Sequence, residues 1–363
     1  MNPKLRSGRA DFAVNYRHKI RGRMNSLIRL AVLGLCLFEF SSFAAEPVRI
    51  IFDTDMGNDV DDALALAMLH ALESRSEAKL LAVTVTKDNR WAAPYVDLVN
   101  HFYGRGTIPV GVVKNGKEPA DSNMIRVPAE RLGSDGAPLY PRRIRDGRNA
   151  PDAVTVLRRV LAEQPDGSVV FVQVGFSTNL ARLLDSPADA ASRLTGKELI
   201  SGKVRLLSIM AGEFPDGKPE YNVRIDVSSA AKLFTEWPSP VVASGFEIGR
   251  SILYPAVSIE RDFAYVENHP IADAYRNYMK MPYDRPTWDL TAVLYAVRGD
   301  RGYFSLSEPG WIRVNSDGKT RFELASGGRH RHLIVDATQR ARAVEAMMYL
   351  ASQPPDRQQP NRR

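Results

Sequence analysis

Short apolar runs alternate with helix-forming segments along most of this chain. "VRIIF", "KLLAVTVT", "IPVGVV", "SVVFVQVG", "KVRLLSIMAG" and "PVVASG" are separated by stretches such as "DDALALAMLHA", "AAPYVDLVNHFYG", "DAVTVLRRVLAE", "STNLARLL" and "DVSSAAKLFTEW". Each run is almost continuously apolar, the pattern of a strand buried on both faces. Such strands between helices predict an α/β fold with an open, mostly parallel sheet covered by helices on both faces. Ligands of such sheets bind at the carboxyl ends of the strands. That rule directs Asp53, Asp55, Asn89, Val174-Gly175 and Met210-Ala211-Gly212 toward one crevice. Further along, "PIADAYRNYMK" and "DLTAVLYAVRG" read as helices, and residues 311–335 as an antiparallel hairpin turning at Ser316-Asp317-Gly318. "ATQRARAVEAMMYLAS" predicts a final helix, and residues 351–363 a disordered tail. The segment from Lys114 to Arg148, rich in Gly, Pro and charge, reads as a long loop of the kind that often forms a lid. Residues 46–350 are expected to form one domain.

The formal charge of +7 suggests nucleic-acid binding until it is located. Eight Lys/Arg and two acids lie before residue 45, so six of the seven excess charges sit in the N-terminal segment. The rest is nearly neutral and has no basic, aromatic-studded stripe, which argues against a nucleic-acid partner. That segment has a basic region, then "LIRLAVLGLCLF", then "SSFAA" with small residues at Ser42 and Ala44. Residues 1–44 therefore read as a signal peptide, with Met24 an alternative start. The apolar run is short and interrupted by Arg29, so no stable membrane insertion is expected after cleavage, with a retained anchor as the alternative. The expected location is exported, periplasmic or secreted. Cys36 is the only cysteine, so the mature chain has no disulfide and no thiol nucleophile.

"IIFDTDMGNDVDDALALAM" places Asp53, Asp55, Asp59, Asp61 and Asp62 where the first strand ends and a helix begins. A helix start accommodates one or two acids, not five. Carboxylates this close raise one another's pKa. A hard divalent cation such as Ca²⁺ or Mg²⁺ resolves the conflict, because every side-chain donor is oxygen. An EF-hand is excluded, since Asn58 and Leu64 occupy the places of its Gly and Glu. An aspartyl phosphatase motif is weakened by Gly57. "DGKT" lacks the upstream Gly of a phosphate loop, and "GFSTN" lacks the second Gly of a nucleophile elbow.

"DTDMGNDVDDALAL" resembles the N-terminal signature of the nucleoside hydrolases. "VGFSTNLARLL", "EYNVRIDVSSA", "AVTVTKDN" and "RPTWDLTAVLYAV" resemble later segments of that family in the same order. The resemblance covers nearly the whole mature chain and implies the family's α/β fold. It also implies Ca²⁺ held by Asp55, Asp62, Asp289 and the Val174 carbonyl, with Asp55 as general base. Asp61 or Asp59, Asn89 and Asn222 would contact ribose hydroxyls, and Glu220 the 5′-hydroxyl. Asp53 would orient the first helix or a metal ligand. The implied reaction is hydrolysis of the N-glycosidic bond of a ribonucleoside, in purine or pyrimidine salvage, by a chain that could form a homo-oligomer.

Two departures carry weight. Two extra residues lie between Gly57 and Asp62, which leaves Asp59 and Asp61 as alternatives for the sugar. Trp288 stands where one branch of the family has a His that protonates the departing base. Trp288 is then either core packing or a wall beside the base. Tyr221, Tyr254, Tyr275, Tyr283 and His269 are candidates for leaving-group activation, and Arg285 reads as a surface salt bridge or a ligand contact. Two further readings follow: the same scaffold acting on another pentoside, or a non-catalytic nucleoside- or ribose-binding protein.

Overall fold

The structure is a computed structural model that describes residues 46–356. The predicted signal peptide and residues 357–363 of the predicted tail lie outside the described residues. The chain begins with β1 (Val48–Thr54), α1 (Asp61–Ser74), β2 (Ala78–Lys87), α2 (Ala92–Phe102), β3 (Val110–Lys117) and α3 (Asn123–Glu130). It continues with α4 (Ala153–Ala162), β4 (Val169–Gln173), α5 (Thr178–Asp185), α6 (Gly196–Lys203), β5 (Val204–Met210), α7 (Tyr221–Ile225), α8 (Val227–Glu236) and β6 (Val241–Ser244). Then come α9 (Phe246–Arg250), β7 (Leu253–Tyr254), α10 (Ala256–Arg261), α11 (Pro270–Tyr278), β8 (Arg285–Pro286) and α12 (Trp288–Arg298). The last elements are β9 (Ser305–Leu306), β10 (Gly310–Val314), β11 (Thr320–Leu324), β12 (His330–Ile334) and α13 (Ala337–Ala351).

The main sheet has the order β11-β10-β12-β6-β5-β4-β1-β2-β3. Every pairing from β3 across to β12 is parallel. β10 and β11 add an antiparallel edge, and β9 pairs antiparallel with β12. Strand order reverses at the β1/β4 pair, because β2 and β3 lie to one side and β4, β5 and β6 to the other. A parallel sheet opens its ligand crevice at such a reversal. Alternation along β1 builds both layers: Ile50 and Phe52 join one apolar core, and Ile51 joins the other. Helix α1 is buried from Asp61 to Leu72 and packs against α12 and α13, which explains its apolar character all round.

The structure refines two expectations. The predicted loop from Lys114 to Arg148 contains the end of β3 and the short helix α3. Pro128, inside that helix, and the flanking Gly and Pro mask its signal, yet Met124, Ile125 and Ala129 are buried. The segment is tied down rather than free. Arg131 and Tyr140 both donate to Asp273 Oδ2 on α11, and the Arg143 and Ile144 N–H groups donate to Asp97 Oδ2 at 2.5 and 2.7 Å. The predicted hairpin forms as β10 and β11, but β12 leaves it to pair parallel with β6. Residues past α13 also make contacts, with Gln353 Oε1 accepting from Arg75 Nε at 2.6 Å.

Candidate functional site

The site grows from the turn between β1 and α1. Val174 N–H donates to the Asp53 carbonyl at 2.7 Å, so the chain leaving β4 runs beside the end of β1. Gly175 permits that approach, because a Cβ there would lie 2.5 Å from the Asp55 nitrogen. Gly57 has φ +111°, and a Cβ on it would meet Ile125 of α3 at 2.4 Å. The turn is thus held between β4 and the segment from Lys114 to Arg148. Asp53 faces inward, accepting from Thr84 Oγ1 at 2.5 Å and Asn179 Nδ2 at 2.9 Å, and joins β1 to β2 and α5. Burial first, against those two donors, raises its pKa to about 7.

Beyond the turn lies a cavity of about 320 Å³ at the carboxyl ends of β1, β4 and β5. Its lining includes Asp55, Asn58, Asp59, Asp289 and Val174 together with Phe246, Tyr278, Arg285 and Trp288. Met210, Glu220, Tyr221 and Asn222 complete it. Asp55 Oδ2 accepts from Asn58 Nδ2 at 2.7 Å, and Asn58 Oδ1 accepts from Lys87 Nζ at 2.6 Å, a relay that orients Asp55. Asn222 Nδ2 donates to the Val174 carbonyl at 2.8 Å and to the Met210 carbonyl at 3.2 Å, joining the ends of β4 and β5. Glu220 caps α7, accepting from the N–H groups of Asn222, Val223 and Gly212. Trp288 and Phe246 stack at 5.3 Å, and Trp288 Nε1 donates to the Phe246 carbonyl at 3.0 Å. The indole is held with its N–H engaged, which makes it an apolar face.

The carboxylates sit in a low-dielectric environment with few cations. Burial raises Asp55 to about 8, with Asp59 adding to the rise and Asn58 and Lys87 opposing it. Burial, then neighbouring carboxylates, push Asp61, Asp62 and Asp289 well above the ordinary range. Glu220 rises to about 7 through burial, opposed by its three N–H donors. Asp59, Asp62 and Asp289 each offer an oxygen within 4.8 Å of the others. Asp62 Oδ2 and Asp61 Oδ1 are buried without a hydrogen-bond partner among the described residues. Converging, unpartnered carboxylate oxygens fit a hard divalent cation.

Most of the residues singled out in the sequence converge here. Asp55, Asp59, Val174, Glu220, Asn222, Trp288 and Asp289 line the cavity. Asp62 lies just beneath, accepting from Thr54 Oγ1. The structure separates Asp59 from Asp61: Asp59 is on the wall, while Asp61 is buried behind it and accepts the Asp289 N–H at 3.1 Å, at the N-terminus of α12. Asn89 sits apart from these residues. Its amide donates to the Pro119 and Ala120 carbonyls and to Asp121, so it fastens the segment after β3 and is absent from the cavity wall. The reading of Arg285 is corrected. Its side chain is only 13% exposed and pairs with Asp59 at 2.9 Å, so it is no surface salt bridge. Of the candidate leaving-group donors, only Tyr221 lines the cavity; the Tyr254 hydroxyl pairs with Ser258, and His269 caps α11. Asn58, Lys87, Phe246 and Tyr278 escaped the sequence reading. Lys87, at the end of β2, was reachable by the strand-end rule.

The model of the family described as inosine-uridine preferring nucleoside hydrolase matches residues 50–354. No curated protein matches the sequence. Among solved structures, a plant nucleoside hydrolase is 20% identical with a TM-score of 0.60, covering 85% of this chain and 100% of its own. The inosine-uridine preferring nucleoside hydrolase of Bacillus anthracis is 18% identical with a TM-score of 0.62, covering 84% and 99%. A type III effector protein, XopQ, complexed with adenosine diphosphate ribose, is 15% identical with a TM-score of 0.58, covering 84% and 93%. At these identities the structures speak for the fold, and the family match, which spans most of the sequence, speaks for descent. The chain belongs to the inosine-uridine preferring nucleoside hydrolase family.

Proposed function

We propose that this protein hydrolyses the N-glycosidic bond of ribonucleosides, releasing the free base and ribose. One observation carries the reading: a converging carboxylate cluster and a stacked aromatic pair border the same cavity of about 320 Å³. That arrangement offers a polar grip for a sugar and a flat apolar face for a base. Asp62 and Asp289 would hold a Ca²⁺ ion, with Asp55 and the Val174 carbonyl beside them and Asp59 within reach. When bound, the ion supplies Lewis acidity and a fixed positive charge next to the ribose hydroxyls.

The remaining work falls to the chain itself. Asp55 accepts the proton of the attacking water as general base, and the Lys87–Asn58 relay fixes its orientation. Asp59 and Asn222 offer hydrogen-bond partners to the ribose hydroxyls, and Glu220 borders the same cavity. Phe246 and Trp288 stack the base and exclude water from its face. Charge develops at the anomeric carbon as the bond breaks, and the flanking carboxylates stabilise it.

A second reading, binding of a ribosyl ligand without cleavage, draws on the absence of a His at Trp288 and on the structural neighbour that holds adenosine diphosphate ribose. A panel of purine and pyrimidine nucleosides, other pentosides included, decides between them when base and sugar release are followed with wild type and Asp55→Ala. Equimolar base and ribose from wild type, abolished in the variant, is expected. No release from any member, with ribose or nucleoside binding retained, would establish the binding reading.

A further inference from the structure

Two polar groups of the aromatic cluster are already committed to backbone carbonyls. Trp288 Nε1 is engaged by the Phe246 carbonyl, and the Tyr283 hydroxyl donates to the Tyr275 carbonyl at 2.8 Å. A cation stands beside that cluster in the cavity lining. The Arg285 guanidinium lies 4.9 Å from the centre of the Tyr278 ring and 5.1 Å from that of Trp288. It is anchored on Asp59 at 2.9 Å, with Nε 3.7 Å from Asp61 Oδ1. Nε has no hydrogen-bond partner among the described residues. Burial works against its charge, but Asp59 and Asp61 outweigh that and keep the group protonated. A guanidinium so held is fixed in place and charged throughout the working range.

We propose that Arg285 is the leaving-group electrophile of this enzyme, stabilising the departing base as an anion by charge and N–H donation in place of a protonating acid. The proposal rests on the nucleoside hydrolase reading. In the step, the C1′–N bond breaks and its electron pair passes to the base nitrogen. The attacking water forms the new C1′–O bond and gives its proton to Asp55. Arg285 keeps all its protons, because a guanidinium does not titrate in the working range. The base anion takes a proton from solvent on release, and Asp55 returns its proton to solvent, so the balance is nucleoside plus water to base plus ribose.

This role differs from a structural one in its dependence on the leaving group. A nucleobase leaves poorly and needs the stabilisation, whereas 4-nitrophenolate leaves without help. The experiment compares kcat for inosine, uridine and 4-nitrophenyl β-D-ribofuranoside in wild type, Arg285→Gln and Arg285→Lys. Loss of one preorganised donor typically lowers kcat roughly 10²–10³-fold. Arg285→Gln is expected to lose about that much on the nucleosides and at least about tenfold less on the nitrophenyl riboside, with Arg285→Lys recovering part of the nucleoside rate. Equal losses on all three substrates would show that Arg285 serves the sugar and Asp59, and would overturn the proposal. No loss on any substrate overturns it as well. A wild type that cleaves none of them removes the hydrolase reading and this proposal together, a result distinct from either pattern in the variants.

Discussion

Asp55 and Asp61 are six residues apart, buried and acidic, yet the structure gives them different work. Asp55 borders the cavity and is oriented by Asn58, while Asp61 supports the first turn of α12 through the Asp289 N–H. Asp55→Asn keeps the size and the acceptor for Asn58 but removes the base proposed for the reaction, so kcat should fall ~10²–10⁴-fold. Its melting temperature should hold or rise, because the neutral amide relieves repulsion with Asp59 and Asp62. Asp61→Ala leaves a buried N–H unpaired, at a cost of about 1–3 kcal/mol, and should lower the melting temperature where Asp61→Asn, which keeps an acceptor, does not. Thermal unfolding of the three variants checks this, and an Asp61→Ala as stable as Asp61→Asn would contradict the assignment. The sequence alone left Asp59 and Asp61 interchangeable, because two inserted residues blur the register of the motif. Asn89 looked like a strand-end ligand, but spacing does not reveal that Pro119, Ala120 and Asp121 would engage its amide. Phe246 and Tyr278 belong to no motif, so only the folded chain shows that they border the same cavity as the carboxylates.

The parallel strands and long helices were legible because continuous apolar runs and helix caps are local signals. Asp152, for example, caps α4 through the Thr155 N–H. Long-range register is not local, which is why the parallel pairing of β12 with β6 could not be read from residues 330–334. Helix α3 was hidden by Pro128 and its Gly- and Pro-rich flanks, and it matters to the site through one contact, Ile125 against Gly57. Removing that side chain leaves a void beneath the turn that carries Asp55 and Asp59. Ile125→Ala should destabilise the fold by ~2–5 kcal/mol and also weaken cation affinity, although Ile125 carries no ligand atom. Calorimetric titration with Ca²⁺ tests the second effect, and unchanged affinity in a destabilised variant would show that the turn holds its shape without α3.

At the scale of the whole molecule, the carboxylate cluster opposes folding until a cation neutralises it. A carboxyl with a raised pKa in the folded state keeps its proton after the unfolded chain has released it. Stability of the cation-free protein therefore falls as pH climbs from the ordinary value of 3.8 to about 8 at Asp55, with Asp62 and Asp289 shifted in the same direction. Ca²⁺ should raise the melting temperature far more near pH 8 than near pH 5, since protons compete for the same oxygens. A melting temperature indifferent to Ca²⁺ near pH 8 would count against the cation site. The most direct test joins that site to the chemistry. Base and ribose release from a nucleoside are measured in purified protein before chelation, after chelation, and after Ca²⁺ is returned. The account predicts turnover that is lost on chelation and restored by Ca²⁺, with base and ribose equimolar throughout. Turnover that persists undiminished in the chelated protein would contradict it.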